Sequence, residues 1–226
     1  MSLSHTNAGC GASVEVASAP GSRLAYARMP KRLFDIALSL TMLPIVLPLI
    51  AILYLCMRIE GGPGFFGHVR VGRNGRPFRC WKIRTMVPDA EARLQALLRD
   101  DPAARREWLA GRKLRRDPRI TRLGAMLRAT SLDELPQIWN VLKGDMSLIG
   151  PRPVTAAELD LYGAHRPAYL ALRPGVTGLW QVSGRNALDY ADRVMLDVAY
   201  VERVTLLHDV MILARTAQAV LNRTGM

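Results

Sequence analysis

Cysteine is scarce in this chain of 226 residues. Cys10, Cys56 and Cys80 are odd in number, far apart and without a CxxC, so neither a disulfide framework nor a zinc cluster can be built from them. The four histidines, His5, His68, His165 and His208, are scattered as well. Aromatic residues reach only 6%, too thin a supply for stacking on single-stranded bases. No P-loop, GxGxxG fingerprint or zinc-protease helix occurs. Acids are the poorer sign of charge. Lys and Arg total 31 against 19 Asp and Glu, a formal net charge of +12, and the pI is near 10.4. That balance disfavours acidic-protein binding and points to polyanionic partners: nucleic acid, phosphorylated metabolites or an anionic membrane face. The cysteine usage fits a reducing, cytoplasmic setting.

Apolar residues, by contrast, are plentiful. Half of the chain is hydrophobic, and the mean hydropathy of +0.08 is high for a soluble globular protein. Residues 1–22, rich in Ser, Ala and Gly, are expected to form a disordered tail, and no basic, apolar signal precedes Cys10. The run from Ile36 to Met57 carries no charge. As a straight helix it would extend about 33 Å, enough to cross a bilayer core. Two features argue for a re-entrant hairpin instead. Pro44 and Pro48 interrupt the run, and both flanks are basic, Arg23, Arg28, Lys31 and Arg32 before it and Arg58, Arg70, Arg73 and Arg76 after it. Residues 23–58 are therefore expected to form a re-entrant membrane segment, and 59–226 a cytoplasmic domain lying on the membrane.

That domain is expected to be α+β and mainly helical. Gly61-Gly62-Pro63-Gly64 reads as a turn, and Asn74-Gly75 as a type I′ turn joining a small β-hairpin. Helices are expected near 89–100, 103–116, 119–129, 133–143, 155–163, 188–203 and 205–221, with an irregular stretch from Arg173 to Asn186.

The densest chemistry lies between Ser131 and Asp145. Ser131 with Glu134 three residues on reads as a capping box, with acids complementing a helix dipole. The alternative is that Asp133 and Glu134 supply a carboxylate nucleophile beside a magnesium ligand, since a diphosphate substrate needs a hard cation to neutralise it. Arg128 and Arg152 stand near in sequence and suit phosphate oxygens. The stretch Arg173–Asn186, with its glycines and a proline, could present backbone N–H groups to an anion or be an ordinary loop.

In chain order come Lys31-Arg32-x-Phe34-Asp35, Arg84-Thr85-Met86, Leu132-Asp133-Glu134-Leu135-Pro136-Gln137, Lys143-Gly144-Asp145-Met146-Ser147, Gly150-Pro151-Arg152-Pro153 and Arg173-Pro174-Gly175-x-Thr177-Gly178. Together they resemble the bacterial sugar transferase family, the monotopic polyprenyl-phosphate phosphoglycosyl transferases, over about residues 29–224. The nearest resemblance is to short members that start exopolysaccharide repeat units with galactose 1-phosphate or glucose 1-phosphate. One departure is Leu47-Pro48, with Pro44 added, where members often carry Ser-Pro.

The resemblance implies a magnesium-dependent ping-pong reaction at the cytoplasmic face of a bacterial plasma membrane. Asp133 would attack a UDP-sugar and expel UMP, and undecaprenyl phosphate would then take the phosphosugar. Glu134 would join Asp133 in holding Mg²⁺, and Arg84, Arg128, Arg152 and Arg185 would bind phosphates. Partners would be the donor, the lipid acceptor and an anionic lipid face, with no nucleic acid and with a homo-oligomer left open. The rival readings are a membrane-attached basic nucleic-acid-binding protein and a non-catalytic scaffold of a polysaccharide assembly complex.

Overall fold

The computed structural model describes residues 26–27, 29–111, 114–183 and 189–221. The expected tail, residues 1–22, lies outside them. The first element, α1, spans Met29–Ile59 and is the one described helix long and apolar enough to cross a membrane. Lys31, Asp35, Ser39, Val46, Ile50, Leu53 and Met57 are its buried positions, and their spacing draws one stripe along the helix. Leu33, Leu40, Ile45, Leu47, Ile52 and Leu55 are exposed apolar residues off that stripe.

Pro44 and Pro48 lie inside this helix without dividing it. No turn separates two helices at the prolines, and α1 is a single element from Met29 to Ile59. Each proline withdraws one donor, from the carbonyls of Leu40 and Pro44, and a spacing of four puts both losses on one face. The remaining bonds carry the helix through.

Strands β1 (Phe65–Val71) and β2 (Pro77–Ile83) pair antiparallel, Val71 opposite Pro77 and Phe66 opposite Lys82. Asn74 and Gly75 do take positive φ, 57° and 77°. They sit, however, in a loop from Gly72 to Arg76, closed by Gly72 N–H donating to the Arg76 carbonyl at 2.8 Å, rather than in a two-residue turn. Helices α2 (Ala90–Asp100) and α3 (Pro102–Gly111) follow as expected, although residues 114–116 of the second expected helix are not helical. Next come α4 (Arg122–Thr130), α5 (Gln137–Lys143), β3 (Ser147–Ile149), α6 (Ala156–Asp160) and α7 (Arg166–Ala171). The chain continues through β4 (Gly175–Thr177), α8 (Leu179–Val182), α9 (Tyr190–Glu202) and α10 (Leu206–Leu221).

The stretch expected to be irregular thus contains β4, which pairs in parallel with β3. Gly175 is required there, because a Cβ would stand 2.1 Å from the Gly150 backbone nitrogen. This is a close backbone crossing, and the Gly175 N–H donates to the Pro151 carbonyl at 2.8 Å.

Three packed clusters hold these elements together. Val141, Met146, Ile149, Tyr200 and Ile212 form the central one, with Phe34 and Leu38 of α1 packed against it. Val46, Ile50, Leu53 and Met57 form a second with Ile83, Leu127 and Ile138. Each such side chain contributes about 2 kcal/mol of burial. The third joins Val154, Leu159, Tyr162, Tyr169 and Val194. Asp209 of α10 is fully buried and accepts from Lys31 Nζ at 2.7 Å, Tyr26 Oη at 2.9 Å and Tyr200 Oη at 2.7 Å. Both halves of α1 therefore rest on the same body.

Candidate active site

The segment around Asp133 departs from a capping box. Ser131 adopts φ 57°, the left-handed residue that ends α4, and its N–H donates to Arg128 and Leu127 carbonyls. Its side chain caps nothing. The chain then makes a single 3₁₀ turn, Leu132–Glu134, and α5 starts only after Pro136. A true capping box forms elsewhere, between Thr155 and Glu158. The acids at 133 and 134 are therefore not spent on a helix terminus.

They open instead onto a cavity of about 630 Å³ between the β-hairpin, the Arg84–Ala90 segment, the end of α4 and Trp180. Arg84, Arg128, Asp133, Glu134 and Arg152 all line it. Arg185, the remaining expected phosphate ligand, lies outside the described residues. Asp133 is 8% exposed. Burial pushes its carboxyl above the usual range; Lys82 opposes this, Glu134 adds to it and Arg128 opposes it.

Lys82 is a charged residue of the cavity that sequence reasoning missed. Its Nζ lies 2.6 Å from Glu134 Oε1 and 3.7 Å from Asp133 Oδ2. Burial draws the ammonium down, but the Glu134 and Asp133 carboxylates outweigh it and hold it above its ordinary value. A signal was present in the strand register. Phe78 and Cys80 are buried on one side of β2 and Ile83 on the other, and alternation places Lys82 on the side of Phe78 and Cys80.

Each arginine is placed by backbone architecture. Arg84 is buried and donates from Nη2 to the Met57 carbonyl at 2.7 Å, tying the cavity to the end of α1. Its Nε and Nη1 are buried without a hydrogen-bond partner among the described residues. Buried donors of this kind are costly unless a ligand satisfies them. Arg128 Nε donates to Thr85 Oγ1 at 2.8 Å, and burial draws its guanidinium below the ordinary value. That contact depends on Gly124, whose Cβ would meet the Thr85 carbonyl oxygen at 2.1 Å. Thr121 caps α4 at the same crossing, its Oγ1 accepting from Gly124 N at 2.9 Å. The Arg152 guanidinium lies 4.8 Å from the centre of the Trp180 ring, and its backbone N–H donates to Asp197 Oδ2 at 3.3 Å.

No group of three or more His, Cys, Asp or Glu gathers among the described residues. The donor set at the cavity is the Asp133–Glu134 pair. Magnesium commonly takes one or two carboxylates and completes its shell with water and substrate phosphates, so this pair fits it. Lys82 occupies Glu134 in the structure and would share or yield that carboxylate.

A buried carboxylate beside an ammonium, in a cavity lined by three arginines, is an arrangement suited to phosphate groups. The chain belongs to the bacterial sugar transferase family, whose profile matches residues 26–223. It is 52% identical over 198 residues to the "undecaprenyl-phosphate galactose phosphotransferase" of Salmonella typhimurium, covering 88% of this chain and 42% of that protein. With the "exopolysaccharide production protein ExoY" of Sinorhizobium fredii the identity is 46%, over 84% of both chains. With the "UDP-glucose:undecaprenyl-phosphate glucose-1-phosphate transferase" of Caulobacter vibrioides it is 37%, over 84% of this chain and 69% of the other. The chain thus spans about two-fifths of the first of these relatives but most of ExoY.

Proposed function

We propose that this protein transfers a sugar 1-phosphate from a UDP-sugar, UDP-galactose or UDP-glucose, to undecaprenyl phosphate, and so begins an exopolysaccharide repeat unit. The observation that carries the reading is Asp133, buried in a cavity of about 630 Å³ together with Arg84, Arg128 and Arg152. The names of the relatives supply the substrate class.

In this reading the Asp133 carboxylate attacks the sugar-bearing phosphorus. A bond forms from its oxygen to phosphorus as the bond to the departing UMP oxygen breaks. The lipid phosphate oxygen then attacks the same phosphorus, the bond to Asp133 breaks, and the carboxylate is restored with no net proton change on it. Phosphoryl transfer is largely positioning and charge neutralisation. Lys82 and Arg128 favour the anionic form of Asp133 against its burial. The two unpartnered nitrogens of Arg84 are available to equatorial phosphate oxygens, and Arg152 is held over Trp180 on the cavity wall. Bound by Asp133 and Glu134, Mg²⁺ would supply neutralisation of the diphosphate.

The exposed apolar residues of α1 fit a hydrocarbon environment. Support for a re-entrant, monotopic placement at the cytoplasmic face comes from the contacts at both ends of α1: Lys31 bonds Asp209 and Met57 packs on Ile83 within one body.

The test of the chemistry uses detergent-solubilised protein with Mg²⁺ and each UDP-sugar but no lipid acceptor. One equivalent of UMP and a sugar-phosphate mass on the protein are expected. Asp133→Asn should abolish both while the protein stays folded. UMP release only when acceptor is added would remove Asp133 as nucleophile.

A further inference from the structure

A second cavity, of about 350 Å³, is lined by Arg73, Arg76, Lys143, Asp145 and Arg173 and shares no lining residue with the catalytic one. A smaller cleft formed with Arg32 and Asp35 also uses Arg73 and Arg173. Chain segments far apart in sequence thus bring five cations to one place: the first turn of α1, the β1–β2 loop, the end of α5 and the approach to β4. Acids are few. Asp145 pairs with Lys143 at 3.3 Å, and Asp35 accepts from the Leu148 N–H at 3.1 Å. Among the described residues Arg32, Arg73, Arg76 and Arg173 make no ion pair.

Part of this charge has a structural use. Arg32 donates from Nη1 to the Val141 carbonyl and from Nη2 to the Leu142 carbonyl at 2.8 Å. Arg173 donates from Nε to the Gly144 carbonyl at 2.8 Å. These bonds satisfy the carbonyl end of α5. They leave Arg173 with its two terminal nitrogens, and they do not involve Arg73, whose Nε is buried without a hydrogen-bond partner. Burial first, then the like charges of Arg32 and Arg73, draw the Arg173 guanidinium below its ordinary value. Like charges at close quarters, with unused fork-shaped donors beside a void, are stabilised by a planar or tetrahedral oxyanion that takes several N–H bonds at once.

We infer that Arg73 and Arg173, with Arg32, Arg76 and Lys143 around them, form a second, non-catalytic binding site for a phosphate-bearing anion. Two sources share this chemistry: the headgroup of an anionic phospholipid and free phosphate. Arg32 sits one turn before the uncharged run that starts at Ile36, which places the site level with the beginning of the apolar helix.

Thermal unfolding of the full chain tests this in two arms. One titrates inorganic phosphate against sodium chloride at equal ionic strength in neutral detergent. The other compares nanodiscs of phosphatidylcholine with nanodiscs that also contain phosphatidylglycerol. The unfolding midpoint should rise in at least one arm, with phosphate if the site takes the free anion or only with phosphatidylglycerol if it takes the headgroup. Arg73→Gln breaks no hydrogen bond seen in the structure. It should unfold at no lower temperature than the wild type in chloride and should bind the effective anion about tenfold more weakly. Arg76→Gln, on the exposed rim, should weaken it less. Arg84→Gln, in the catalytic cavity, should retain the rise that Arg73→Gln loses. Equal rises in wild type and Arg73→Gln, or no rise in either arm, would overturn the proposal. A lower midpoint for Arg73→Gln in chloride would likewise assign Arg73 a purely structural role.

Discussion

At the residue scale, the cavity works by setting a buried acid against nearby cations. Lys82→Gln removes the cation that most opposes the effect of burial on Asp133, so the Asp133 carboxyl should move further above its usual range. The acid limb of a profile of UMP release against pH should therefore shift to higher pH. The rate on the plateau should fall about tenfold, as expected for the loss of a charge-assisted contact. Asp197 offers a second titration, one that reads stability. Burial pushes its carboxyl to about 7, although the Tyr162 hydroxyl and the Arg152 N–H pull it down. The folded protein then keeps a proton that the unfolded chain has released between 3.8 and about 7. Stability should fall as pH rises through that window and level off above it. Asp197→Asn should flatten the slope, as measured by unfolding midpoints across the range. That Asp133, Glu134, Arg84, Arg128 and Arg152 belong together was legible from the motifs they stand in, and one cavity gathers these five, whereas Arg185 lies outside the described residues. Lys82 was not legible in this way, since its role arises only when β2 packs over the 3₁₀ turn.

At the element scale, the short crossings set the geometry. Gly124→Ala forces a methyl group onto the Thr85 carbonyl, a backbone atom that cannot swing aside. A destabilisation of about 1–3 kcal/mol is expected in unfolding experiments, with slower UMP release because Arg128 reads its position from Thr85. Helix existence was readable from periodicity in α2, α9 and α10, within a few residues at their ends. The parallel β3–β4 pair was hidden because each strand has only three residues, and its partners lie far apart along the chain. The capping-box signature at Ser131 misled for a related reason. The same pattern serves a helix start or, as here, a left-handed helix end followed by a single turn.

At the scale of the whole molecule, the question is how the apolar helix sits. If α1 enters and leaves by one face, Met29→Cys and Glu60→Cys should both react with a thiol reagent only from the cytoplasmic side, in a background with Cys10, Cys56 and Cys80 replaced by Ala. Reaction of either position from outside would sink that topology. Replacing Pro44 and Pro48 together with Ala restores both missing donors and should bias the helix toward crossing, so that one of the two positions labels from outside. Hydropathy pointed to one helix long and apolar enough to cross a membrane. Its continuity through two prolines came only from the structure, because a proline's lost hydrogen bond does not by itself decide between a bend and a break.

The Lys31–Asp209 bond has a consequence for how the protein is made. Its two partners are 178 residues apart, so at roughly 5–20 residues per second the ribosome delivers Asp209 about 9 to 36 seconds after Lys31. For all that time the lysine at the head of the apolar helix lacks the carboxylate that makes its burial tolerable. The helix can form early, but it cannot lock onto the body until nearly the whole chain has emerged. Ribosomes stalled before residue 209 would therefore carry an apolar helix whose seat on the body is still reversible.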